Sequence, residues 1–282
     1  MIIIKILIPF QNHKEMTITD SKNNYQNVII ILICFGLHIG LSNYLYTFAK
    51  NLELVLSMRF ISNCFANLLI TSPIWVGNAL LNDGKSYWQR LGLGSNIKEA
   101  LVVIGFLTLL LSPFFIYNFS DFLHFLNTKG TVWILNIFLA EICLRVFFFR
   151  NLCNYTSWGI LRNALIYTVI YLAFLIYSSL DNIIEAPSDF LPYYALNYLI
   201  NFCVIFISSC FYFWLYVEWK HNFWLVFGVR LLISYYIAFV FGDGLLHYIT
   251  WLFVAVPAVL IIIGTILYKR KKGLPLEVKR FW

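Results

Sequence analysis

The stretch TVWILNIFLAEICLRVFFFR, residues 131–150, is apolar almost throughout yet carries Glu141 and Arg145 in its interior. Twenty residues rise about 30 Å as an α-helix, the thickness of a bilayer's hydrocarbon layer. The run therefore reads as a membrane span. Four residues apart, Glu141 and Arg145 share one helix face and can pair directly. An ionisable side chain at mid-span costs several kcal/mol unless it has a partner or a task, so the pair marks where function is sought.

Similar runs recur at roughly 28–48, 54–80, 97–119, 159–180, 190–217, 222–242 and 245–268. Together with 131–152 they predict an all-α, polytopic transmembrane helical bundle of about eight spans. Lipid cannot satisfy free backbone groups, and runs this long are helices rather than the ten-residue alternating strands of a barrel. Composition agrees: 61% of residues are hydrophobic and 12% charged, with a mean hydropathy of +0.79. A soluble domain is nearer half apolar and a quarter charged. Little length remains for a second domain, so residues 1–282 are read as one membrane domain.

The net charge of +7 is unevenly placed. Lys14, Lys22, Lys85, Arg90, Lys98, Arg150, Arg162 and Lys220 fall at one set of span ends, and Lys269, Arg270, Lys271 and Lys272 follow the last run. Asp121, Asp181, Glu185, Asp189 and Asp243 fall at the other set, with Lys50 and Lys129. Positive residues favour the cytoplasm, which predicts cytoplasmic termini on both ends. The terminal cluster reads as a juxtamembrane anchor facing anionic headgroups, and the partner it implies is the lipid bilayer, not nucleic acid.

Other signals point to packing. None of the six cysteines forms a C-x-x-C pair, and there is no H-E-x-x-H, so neither metal nor cofactor is expected. Met1 to Phe10 is apolar but too short to span; it lacks a basic flank and a cleavage site, and is expected to lie on the membrane surface. Gly36 and Gly40 form a G-x-x-x-G step that would let two helix backbones approach. His38 stands beside them on a packing surface, and His221 and His247 fall at loop edges, as solvated imidazoles.

Arg230 is the remaining charge deep in a run. It and Glu141 both lie roughly 12–14 Å from the cytoplasmic side, so the two are expected to meet across the bundle. A Glu141–Arg230–Arg145 cluster would carry one net positive charge, for Asn136, Ser234, backbone carbonyls or a lipid phosphate to offset.

At these residues the sequence resembles the CPBP family of membrane proteins, which includes the CAAX-type prenyl proteases, bacteriocin-processing or immunity proteins, and the Abi group. The family's first motif is E-E-x-x-x-R in a mid-chain span, and here it reads Ala140-Glu141-Ile142-Cys143-Leu144-Arg145. Leu91-Gly92-Leu93 is similar to the family's L-G-L opening of a helix. The stretch Trp214 to Tyr235, with Asn222 to Ser234 inside it, resembles the helix pair that carries the family's last motif, H-x-x-x-N/D, with Arg230 at the His and Ser234 at the Asn. The resemblance covers roughly residues 88–242. It implies cleavage of a peptide bond near the membrane by water that the first Glu activates.

That first Glu is Ala140 here, and a methyl cannot accept a proton. The second motif, F-x-x-x-H, is expected in the fifth span, where Tyr171 to Leu175 and Phe174 to Ser178 both lack the His. No residue is therefore assigned a catalytic role: Glu141 and Arg145 are motif remnants, and Ala140, Arg230 and Ser234 are substituted motif positions. The resemblance then implies a non-catalytic relative in a bacterial plasma membrane, binding a membrane peptide or partner protein in peptide immunity or as an accessory factor. An active endopeptidase using Glu141, and a transporter or permease subunit, stand as alternatives.

Overall fold

The computed structural model describes residues 18–50, 56–81, 97–117, 131–156, 158–185, 190–241, 247–278 and 281. The Met1–Phe10 stretch, the L-G-L segment, His13 and His124 lie outside them. Each of the eight apolar runs is helical where described: α1 (Ile18–Lys50), α2 (Leu56–Leu80), α3 (Ile97–Tyr117), α4 (Thr131–Glu141), α6 (Ile160–Ser178), α8 (Leu191–Glu218), α9 (Phe223–Phe241) and α10 (His247–Lys272). Short helices α5 (Asn151–Tyr155) and α7 (Leu180–Glu185) complete the order. Among the described residues there is no strand.

Three helical stretches, Asn24–Ser42, Ile160–Ser178 and Leu191–Glu218, are long and apolar enough to cross a bilayer. Exposure points the same way. Large apolar side chains such as Phe65, Val102 and Leu109 face outward, while Glu141, Arg145, Glu218 and Lys269 are buried. Polar-in and apolar-out suits an apolar solvent, and the chain is an α-helical membrane protein.

The second half of the 131–150 stretch lies at the centre of the bundle. After Glu141 the helix widens into a π-helix, Ile142–Arg150, before α5 continues it. Every residue from Ile142 to Phe149 is buried, as expected of a helix covered on all sides. Phe147 points to α1 and α2, where a Cβ on Gly77 would stand 2.7 Å from its ring. Phe148 packs on Phe35 of α1 at 4.3 Å, and Phe149 stacks on Phe213 of α8 at 4.0 Å. Helices α1, α2, α8 and α9 all contact this segment.

Close approach falls elsewhere than the G-x-x-x-G step predicts. A Cβ on Gly36 would meet nothing within 4 Å, and one on Gly40 would meet only the Phe174 ring, at 3.1 Å. Gly77 is a position with no room for a side chain, with Cys34 Sγ at 2.8 Å as well as Phe147, and so is Gly228, where a Cβ would meet the Ile104 side chain. His38 does use its packing surface: its Nδ1 donates to the Ile70 carbonyl of α2 at 2.8 Å. One turn on, Pro73 has no N–H for the Leu69 carbonyl, and Ser72 Oγ donates to that carbonyl instead, at 2.7 Å.

Candidate functional site

Three helices bring the charged residues together. Glu141 ends α4, Arg145 follows in the π-helix, and Arg230 reaches in from α9. Arg230 Nη1 donates to Glu141 Oε1, and Arg145 Nε stands 3.2 Å from Oε2. The Glu141 carboxylate is fully buried, whereas the Arg230 side chain is 29% exposed and forms the outer edge of the cluster. The expected ion cluster is thus present, with both carboxylate oxygens turned to guanidinium nitrogens.

Aromatic rings complete the surroundings. The Arg145 guanidinium lies 5.2 Å from the Tyr212 ring centre and 4.7 Å from that of Phe213, so α8 offsets part of its charge through cation–π attraction. Tyr167 of α6 and Tyr212 of α8 both stand within electrostatic reach of Arg230. Tyr167, Tyr212 and Arg230 lie six or seven residues inside the Ile160, Glu218 and Phe223 ends of their helices, so they share one layer about 10 Å deep. The two tyrosines escaped sequence reading, because a tyrosine in an apolar run looks like any other aromatic.

Two polar groups expected to balance the cluster do not. Asn136 is exposed on α4, and among the described residues no hydrogen bond joins Ser234 to Glu141 or either arginine. Arg145 Nη1 is buried without a hydrogen-bond partner. Ala140 is partly buried beside Glu141 and contributes no polar atom.

Above this layer, α6 and α8 enclose a cleft of about 470 Å³ lined by Tyr171, Ser179, Tyr194, Asn197, Tyr198 and Asn201. Its lining offers hydroxyl and amide groups where lipid would offer none. Ser179 Oγ and Tyr198 Oη lie 2.6 Å apart, and the Asn201 amide donates to the Asn197 carbonyl at 2.9 Å. The Tyr171 ring lies 5.9 Å from that of Tyr167, which links the cleft floor to the charged layer.

A second charged group lies at the C-terminal end of α8, away from the cleft. Lys269 is buried rather than turned to headgroups, because its Nζ donates to Glu218 Oε1 at 2.6 Å. It also donates to the carbonyls of Glu218 and Pro275, at 2.7 and 3.2 Å. The Glu218 carboxylate accepts the backbone N–H groups of Glu277 and Val278, at 3.1 and 3.2 Å. Gly273, with φ +65°, makes this possible. It ends α10 in a left-handed turn in which the Leu274 N–H bonds the Lys269 carbonyl, and the tail folds back over the bundle. All donors and acceptors named here are matched, so this is a structural clamp.

His221 is not a solvated loop imidazole either. It sits in the tight α8–α9 corner at φ 60°, after Lys220 at φ 54°, with its ring 5.0 Å from Tyr216. Burial, then the nearby Arg150 charge, hold its pKa down to about 4.

The fold and the cluster define a helical membrane protein with a buried, arginine-rich charged centre. Comparison with protein-family models, curated proteins and solved structures finds no match.

Proposed function

We propose that this chain is a non-catalytic relative of the CPBP intramembrane proteases, which binds a membrane peptide or partner protein rather than cleaving one. In this reading it crosses a bacterial plasma membrane about eight times with both ends in the cytoplasm, and serves peptide immunity or acts as an accessory factor. The observation that carries the reading is the closure of Arg230 on the Glu141 carboxylate. A general base must present a free oxygen to water. Here Arg230 stands where the family has a histidine and occupies that oxygen, while Ala140 stands where the family has its base.

Binding is supported by the cleft between α6 and α8, whose asparagine and tyrosine groups suit the backbone of a peptide in lipid. The topology is supported by Arg150, Lys220 and Arg270 at one set of helix ends and Asp181 and Glu185 at the other.

The test is photocrosslinking of the full chain in membranes, with a photoreactive residue in place of Tyr194, beside a cleavage assay on membrane peptides. The reading expects one specific crosslinked peptide or protein and no cleavage. Cleavage that disappears in Glu141→Gln would overturn it in favour of an active endopeptidase.

A further inference from the structure

A groove of about 380 Å³ runs between α3 and α10, away from the charged centre and the polar cleft. Val102 and Phe106 form one wall, Leu260, Gly264 and Tyr268 the other, and Trp219 closes one end. The groove stays open at Gly264, where a Cβ would have nothing within 4 Å. Its polar groups are few: Trp219 Nε1 donates to Thr265 Oγ1 at 3.3 Å, and the Trp219 and Tyr268 rings stack at 5.6 Å. A tryptophan–tyrosine pair of this kind belongs at the level of lipid headgroups.

Charge fixes which amphiphile fits. The stripe Leu260–Gly264–Tyr268 continues on the same face of α10 to Lys271 and Lys272, three and four residues beyond Tyr268. Both lysines are exposed, and among the described residues no acidic side chain pairs with them. On α3 the stripe Phe106–Val102 continues to Lys98, four residues back. Cations therefore stand on both walls, one helical turn past the same end of an apolar groove. The Glu218 clamp sharpens this arrangement, because it takes Lys269 out of the basic run and ends α10 with Lys271 and Lys272 at the groove mouth.

We infer that this groove is a binding site for an anionic phospholipid. The acyl chain lies along Gly264 between the two helices, and the phosphate is held by Lys271 and Lys272. A zwitterionic lipid would fill the apolar part equally well but would gain little from the lysines. The inference needs only that the chain is a membrane protein, and stands apart from the protease-like reading.

The experiment is native mass spectrometry of the full chain after delipidation in mild detergent and titration with phosphatidylglycerol or phosphatidylcholine. The expected result is one retained phosphatidylglycerol per chain, favoured about tenfold or more over phosphatidylcholine. Lys271→Gln with Lys272→Gln is expected to remove that preference without changing the fold, since both side chains are exposed. Gly264→Leu is expected to lose retention of both lipids. Should that variant fail to fold, Val102→Trp fills the groove from the opposite wall, where Val102 is 73% exposed, and is expected to do the same. Equal retention of the two lipids by the unaltered chain would overturn the inference. So would undiminished retention in the groove-filling variants, or a lipid-free dimer that buries the groove.

Discussion

Arg230 of α9 donates to the carboxylate of Glu141 at the end of α4, across 89 residues of sequence. The contact ties α9 to α4. It leaves a carboxylate between two guanidinium groups. The cluster's surplus positive charge is partly met by the rings of Tyr212 and Phe213 and partly by exposure of Arg230.

Arg145 is held as a flat cation on two ring faces. Arg145→Lys keeps the charge but loses the planar stack, and is expected to destabilise by about 1–3 kcal/mol. Denaturant unfolding in bicelles would measure this. Arg145→Met, which leaves Glu141 paired with Arg230 alone, is expected to cost no more than the lysine does, because it returns the centre to neutrality.

The tail depends on one buried acid. Glu218→Gln leaves Lys269 as a buried cation with weakened acceptors, at a cost of about 3–5 kcal/mol. The Glu277 and Val278 backbone should then become the first site of proteolysis, read by limited digestion and mass spectrometry. Gly273→Val, which cannot easily adopt the φ of +65°, is expected to release the same segment.

The two glycine positions should separate cleanly. Gly77→Ala places a methyl against Phe147 and Cys34, and is expected to destabilise by about 1–3 kcal/mol. Gly36→Ala meets open space and is expected to be neutral, or stabilising by up to about 1 kcal/mol through helix propensity. Thermal unfolding of the two variants would decide.

His221 makes stability depend on pH. Its pKa in the folded chain, about 4, lies below the ordinary 6.5, so the unfolded chain takes up the proton first. Stability from this group is therefore full above about pH 6.5, falls as pH drops toward 4, and levels off below. Between pH 7 and 4.5 the chain is expected to lose about 2 kcal/mol more than His221→Asn, since asparagine accepts the left-handed backbone and does not titrate.

The helices were legible because apolar runs of this length have few other structures open to them. The Glu141–Arg145 face followed from spacing alone, and Arg230 from its matching depth. What stayed hidden is set by packing. The π-helix at Ile142–Arg150 has no local propensity signal, and arises where three consecutive phenylalanines reach different neighbours. Glu218 and Lys269 each look like headgroup charges, and only the turn at Gly273 brings the tail onto them. Gly273 with Pro275 was the readable sign that α10 stops there and the chain reverses. Gly77 could not be told from Gly36 by motif, because the choice depends on which helix face meets Phe147.

Glu141 and Arg230 form a coupled structural pair. A double-mutant cycle of Glu141→Gln and Arg230→Gln, read by unfolding free energy in bicelles, tests it directly. Glu141→Gln alone is expected to cost about 3–5 kcal/mol, by leaving two cations without their anion, and adding Arg230→Gln is expected to recover about 2 kcal/mol of that loss. Strict additivity of the two changes would contradict it.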